Sequence, residues 1–212
     1  MDGALPNPGP PSNPLSNPYL PFAPHNYCAG GSAENVCTLK VWRQAGYESA
    51  GWPLNAREIQ LYDASGNLMT TSNGGIISYE MSTVYQDDVA NFGIELCFDG
   101  DTASPPSNDG FACHTGDGDP DPRIAVRFSC PDGNVKKGLS KVVWYPRTGN
   151  WYVHILHYQM EVLNPAGERK AYMLFEDDQP PPEVFTFTDI GERGSVAIKR
   201  GMAMDASAHA CH

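Results

Sequence analysis

The sequence predicts an all-β sandwich on three observations. Short stretches rich in β-branched and aromatic residues, most of them alternating apolar with polar, follow one another along the chain. Between them lie turns drawn from 21 glycines and 19 prolines. Nowhere do apolar residues recur at the spacing of an amphipathic helix. At 212 residues and 41% apolar composition, the chain is long enough for one well-buried domain with tails.

Taken in order, residues 1–25 hold eight prolines in a polar, nearly uncharged background. Such a segment cannot be helical and predicts an extended, polyproline-like arm. Its plain role is a linker, and its functional role is contact with a neighbouring subunit, because an extended segment loses little entropy on docking. The sandwich is expected over 26–200 and a Gly-, Ala- and Met-rich tail over 201–212.

The expected strands are "CTLKVWRQ" (37–44), "REIQLYD" (57–63), "GIISYEM" (75–81), "RIAVRFS" (123–129), "LSKVVWYP" (139–146), "HYQMEVLN" (157–164), "KAYMLFE" (170–176), "EVFTFTD" (183–189) and "SVAIKR" (195–200). In the fourth, Ile124, Val126 and Phe128 share one face while Arg123, Ala125 and Arg127 share the other, as a half-buried strand requires. Two stretches, "EIQLYDASGNLM" and "QMEVLNPAGERKAYML", run a strand into a turn ending at Gly66 or Gly167 and predict hairpins.

A formal charge of -11 leaves no basic stripe for phosphates, and Lys136, Lys137, Lys141 and Arg147 form the nearest thing to a cluster. Nucleic acid is therefore not the expected partner. No apolar run reaches the roughly 18 residues of a membrane span. The start "MDGALPNPGPPSNP" has neither the basic head nor the apolar core of a signal peptide. Either Met1 opens an internal or recombinant segment, or the protein travels without such a leader.

The six cysteines, Cys28, Cys37, Cys97, Cys113, Cys130 and Cys211, include no Cys-x-x-Cys pair and predict disulfides. Disulfides imply an oxidising setting, extracellular or at a surface, or in an assembled particle such as a virion. Local closure favours Cys28 with Cys37 and Cys97 with Cys113, leaving Cys130 to tie Cys211 and the tail to the sandwich.

The order of motifs carries a resemblance. "AREIQLYDASGNLM", "MSTVYQDD", "LCFDGDTAS", "FACHT", "DPRIAVRF", "KVVWYPR" and "YQMEVLNPAGE", spanning about residues 37–176, resemble the discoidin-type domains of the galactose-binding-like family. The resemblance implies a jelly-roll β-sandwich that holds ligand in loops at one end, without catalysis. It also implies a structural calcium at the Asp-Gly-Asp-Thr turn, with Asp99, Asp101 and Thr102 as ligands and Glu192 or Asp189 closing the shell. Calcium takes roughly six to eight oxygens, which suits such a turn. The chain departs from the family at "WYPRTGNWYVHILHY" (144–158), where relatives often carry paired cysteines and an arginine, so the family's sugar-binding His and Arg set does not transfer.

Other candidates rest on residue chemistry. Tyr47, Trp52, Trp151 and Tyr152 fall in inter-strand loops, where aromatic rings stack on the apolar face of a sugar or grip a protein. The alternative role for Trp52 and Trp151 is to plug the ends of the sandwich core. Arg147 beside them offers a planar fork to a hydroxyl pair or carboxylate, or is a solvated rim residue. The acidic run Asp117, Asp119 and Asp121 lacks the spaced glutamate of an EF-hand and is expected to be a solvated turn. His114 is expected to be a packed, hydrogen-bonded histidine, and His154 and His157, three apart on a strand, to face opposite ways.

No Gly-x-Ser-x-Gly, Ser-x-x-Lys, phosphate loop or His-Glu-x-x-His is present. The expectation is a non-enzymatic binding or adhesion module that recognises glycan or protein surfaces through its loops. The alternative is a structural subunit of an extracellular, surface or virus-coat assembly that self-assembles through the arm.

Overall fold

Each of the nine predicted segments forms a strand in the computed structural model. It describes residues 33–44, 52–102, 112–147, 154–156, 158–175, 184–188 and 196–197, all within the unit Gly31–His212. The strands are β1 (Val36–Arg43), β2 (Asn55–Ala56), β3 (Glu58–Tyr62), β4 (Ile76–Met81), β5 (Cys113–His114), β6 (Arg123–Ser129), β7 (Lys141–Tyr145), β8 (Tyr158–Leu163), β9 (Arg169–Leu174), β10 (Phe185–Phe187) and β11 (Val196–Ala197). Two short helices, α1 (Val89–Phe92) and α2 (Val135–Gly138), are capped by the side chains of Asp88 and Asn134.

The strands make a six-stranded sheet in the order β11-β9-β8-β1-β6-β4, a three-stranded sheet β10-β7-β3 and a pair β2-β5. All pairings are antiparallel except β11 with β9. Alternation along β1 buries Cys37, Leu39 and Val41 and turns Thr38, Lys40 and Trp42 to the other face. Leu39, Val41, Phe128, Met160 and Val162 of the large sheet share one core with Ile59, Leu61, Val142 and Trp144 of the small sheet. Full burial of each such side chain contributes about 1.5–3 kcal/mol. The arrangement is mainly antiparallel β and consistent with a β-sandwich.

Of the two expected hairpins, β8–β9 forms. Gly167 takes a φ of 77°, and its N–H closes the turn onto the Asn164 carbonyl at 2.9 Å. The other shortens to a single bridge, flanked by bonds from Asp63 N–H to the Asn67 carbonyl and from Met69 N–H to the Leu61 carbonyl. After the turn held by Asp63, whose Oδ1 accepts from Ser65 and Asn67 N–H at 2.8 Å, only Tyr62 and Leu68 bridge. A second polar turn then redirects the chain: Asn73 Oδ1 accepts from Thr70 and Gly75 N–H, and its Nδ2 donates to the Leu68 carbonyl. Met69 and Ile76 bury in the shared core, so the chain crosses from the small sheet to pair β4 with β6.

The disulfides correct one expectation. Cys97 bonds Cys113, as local closure predicts, but Cys37 bonds Cys130 across a separation of 93 residues. The register is the reason. Cys37 lies opposite Phe128 on the neighbouring strand, and Cys130 directly follows that strand. This excludes Cys28 with Cys37 and Cys130 with Cys211; Cys28 and Cys211 lie outside the described residues, as do the arm and the tail. A Cβ on Gly138 would sit 2.6 Å from the Ser129 carbonyl oxygen and 2.7 Å from the Cys130 Cα, so α2 closes on this disulfide only with glycine there.

Candidate functional site

The pair β2–β5 assembles a cluster of polar and aromatic side chains. Asn55 lies opposite His114, and the next residues lock the pair: Leu54 N–H donates to Thr115 Oγ1, and Thr115 N–H to the Leu54 carbonyl, both at 2.9 Å. The Cys97–Cys113 disulfide anchors β5 from behind. β7 runs beside β3, with Arg57 N–H bonded to the Tyr145 carbonyl, and its continuation carries Arg147 to the same end.

Four polar side chains there are withdrawn from solvent: Asn55 is 1% exposed, His114 4%, Arg147 5% and His154 9%. Asn55 Nδ2 donates to His154 Nδ1 at 2.9 Å, which places the proton of the neutral ring on Nε2. His114 Nδ1 lies 2.6 Å from the Thr115 carbonyl, which only accepts, so Nδ1 carries the proton and Nε2 is an acceptor. The imidazoles meet edge to face with centroids 6.5 Å apart. Tyr85 and Phe92 wall the far side of His114 at 4.7 and 5.9 Å.

Burial lowers both imidazoles, because a charged ring loses hydration. His154 falls to about 4, chiefly from burial and then from His114 and the Arg147 charge, with Asp117 opposing. His114 is lowered by burial against its bond to the Thr115 carbonyl. Both rings are neutral at neutral pH.

Trp52 covers this floor. Its ring is 5.7 Å from His154, centroid to centroid, yet 37% of the residue is exposed. Its backbone is clamped, the carbonyl accepting from Tyr158 Oη at 2.8 Å and from Arg43 Nη2 at 2.9 Å. Tyr158 is itself fully buried, and burial raises its phenol. The backbone that presents this part-exposed indole is thus anchored at two points.

The structure therefore brings together Trp52 and Arg147 of the five sequence-predicted ligand-binding residues; Tyr47, Trp151 and Tyr152 lie outside the described residues. Two expectations need correction. Arg147 is buried, which removes the solvated-rim alternative for it. His154 sits in a short turn at 154–156 rather than on a strand, so the opposite-face argument does not apply to it, and His157 lies outside the described residues. His114 is packed and hydrogen-bonded as expected, but beside a second histidine that no local pattern announced.

At the acidic turn, Gly100 takes a φ of 85° and Asp99 Oδ1 accepts from Asp101 N–H at 2.8 Å. Gly100 N–H donates to Glu58 Oε2 at 3.3 Å. Burial pushes the Glu58 carboxyl up to about 7, with the Asp99 and Asp101 charges adding to the rise and the Gly100 bond opposing it. Among the described residues no three His, Cys, Asp or Glu side chains are grouped to hold a metal ion, and Glu192 lies outside them. Downstream, Asp119 is more than a solvated turn residue: its Oδ2 accepts from Ser82 Oγ at 2.6 Å and Thr83 Oγ1 at 2.5 Å, tying the loop to the end of β4. Asp117 and Asp121 are exposed, as expected.

No family model, curated protein or solved structure matches the chain.

Proposed function

We propose that the chain is a non-enzymatic binding module that holds a glycan against Trp52. The observation that carries this is the pairing of a part-exposed indole, on an anchored backbone, with a buried floor of Asn55, His114, His154 and Arg147. An indole face stacks on the apolar face of a pyranose, and the bonds from Tyr158 and Arg43 to the Trp52 carbonyl hold its backbone in place to receive one. Anchoring the Trp52 backbone before binding reduces the entropy lost on association. The floor supplies hydrogen bonding at neutral pH without a charged imidazole.

The finer architecture, a galactose-binding-like jelly roll with loop-borne ligand at one end, belongs to the same proposal, as does an extracellular or surface setting, with which two disulfides are in keeping. So does structural calcium at Asp99, Asp101, Thr102 and Glu192, which rests on the resemblance. A melting temperature lowered by chelator supports the ion, and unchanged melting removes it.

The test is a glycan array followed by titration calorimetry. Saturable binding is expected, weakened at least tenfold by Trp52→Ala with the fold intact, a loss of about 1.4 kcal/mol or more. No binding across the array, or binding indifferent to Trp52→Ala, would remove the proposal.

A further inference from the structure

The two histidines under Trp52 form an arrangement that acid should break. At neutral pH, His154 Nδ1 must be an acceptor, because the group facing it is the Asn55 amide N–H. Protonation adds an N–H at Nδ1, the second on the ring, so donor faces donor in a site where Asn55 is 1% exposed and water cannot readily intervene. The added charge also falls beside the Arg147 cation. Among the described residues, the charged and titratable groups facing the pair are Arg147 from the segment after β7, Asp117 from the loop after β5, Tyr85 before α1, and each histidine for the other. Arg147 is 5% exposed and repels a protonated ring at low dielectric, whereas Asp117 is solvent-exposed and its attraction is screened.

We propose that the His114–His154 pair is an acid-operated latch. Neutral rings keep β2, β5 and the 154–156 turn closed under Trp52, and protonation of His154 parts it from Asn55 and releases the indole from its backing. Resting on the glycan-binding role proposed above, the latch gives that site a regulation: ligand is held at neutral pH and released in acid. The lowered imidazole sets the window and its sign. A ring with folded pKa of about 4 and ordinary value 6.5 favours the closed state fully above 6.5, and that preference is lost as pH falls toward about 4.

The experiment is amide hydrogen exchange on the ligand-free protein from about pH 7 to about pH 4.5, expressed as protection factors to remove the intrinsic pH dependence. Protection at Leu54 and Thr115, whose N–H groups join β2 to β5, is expected to fall by up to about tenfold per pH unit below about 6.5. Protection at Val126 in the core is expected to hold. His154→Asn, which keeps an acceptor for Asn55 and removes the titration, should leave protection at all three flat. Constant protection in the unaltered protein, or the same fall in the variant, overturns the latch. Should the variant fail to fold by circular dichroism, the His154 ring is titrated by NMR; protonation that does not coincide with the loss of protection overturns it equally. No glycan is present, so latch failure leaves binding at neutral pH intact. Conversely, an absence of glycan binding at neutral pH leaves the exchange result standing.

Discussion

Glu58 projects from the outer face of β3, yet it is 3% exposed, and its carboxyl titrates near neutrality. Its folded pKa of about 7 exceeds the ordinary 4.5, so the folded state keeps a proton that the unfolded chain gives up. The stability this contributes is present below about 4.5 and is lost as pH rises through about 7. Glu58→Gln preserves an acceptor for Gly100 N–H and removes the charge. It should stabilise the protein by on the order of 2 kcal/mol at about pH 8 and change little at about pH 4, read from urea midpoints. His154 acts in the opposite sense across much the same range. At this scale the sequence exposes part of the site: Trp52 and Arg147 are legible because loops beside strand ends are where a ring and a guanidinium reach ligand. Asn55 and His154 stand 99 residues apart and meet only through the topology, so neither announces the other. Asp119 is similar. Its run reads as solvated acid, and its binding to Ser82 and Thr83, 37 and 36 residues away, is invisible before folding.

Periodicity places the longer elements well because each shows a full cycle of alternation, and β6 spans the predicted 123–129. β2 and β5, two residues each, are too short to carry a period, although they build the site. The Gly66 turn has correct local chemistry, but the burial of Met69 and Ile76 decides where the chain goes next. The disulfides show the same limit: loop length points to Cys28 with Cys37, and strand register selects Cys130. Replacing both members of Cys37–Cys130 by alanine should cost about 4 kcal/mol, and doing so at Cys97–Cys113 about 3 kcal/mol, because the longer closure constrains the unfolded chain more. Equilibrium denaturation of the two variants gives the order directly. Gly138→Ala drives a Cβ into the Ser129 carbonyl and the Cys130 backbone and should cost about 1–3 kcal/mol in the same assay.

Across the whole molecule, one core ties the two larger sheets together. Trp144 sits in it fully buried, edge-on to Phe175, which in turn meets Phe187. Trp144→Ala should cost about 3–5 kcal/mol and loosen both sheets in one cooperative transition, seen as coincident near- and far-UV circular dichroism melts. Trp52→Ala removes a ring that is 37% exposed and should leave those melts nearly unchanged. That contrast separates a tryptophan that holds the fold from one that faces a ligand. The most direct measurement is the NMR spectrum of labelled protein titrated with a glycan that binds on the array. Saturable shifts should centre on Trp52, Asn55, His114, Arg147 and His154 and vanish in Trp52→Ala. Shifts centred elsewhere, or retained in that variant, would contradict the assignment of this end of the molecule as the binding site.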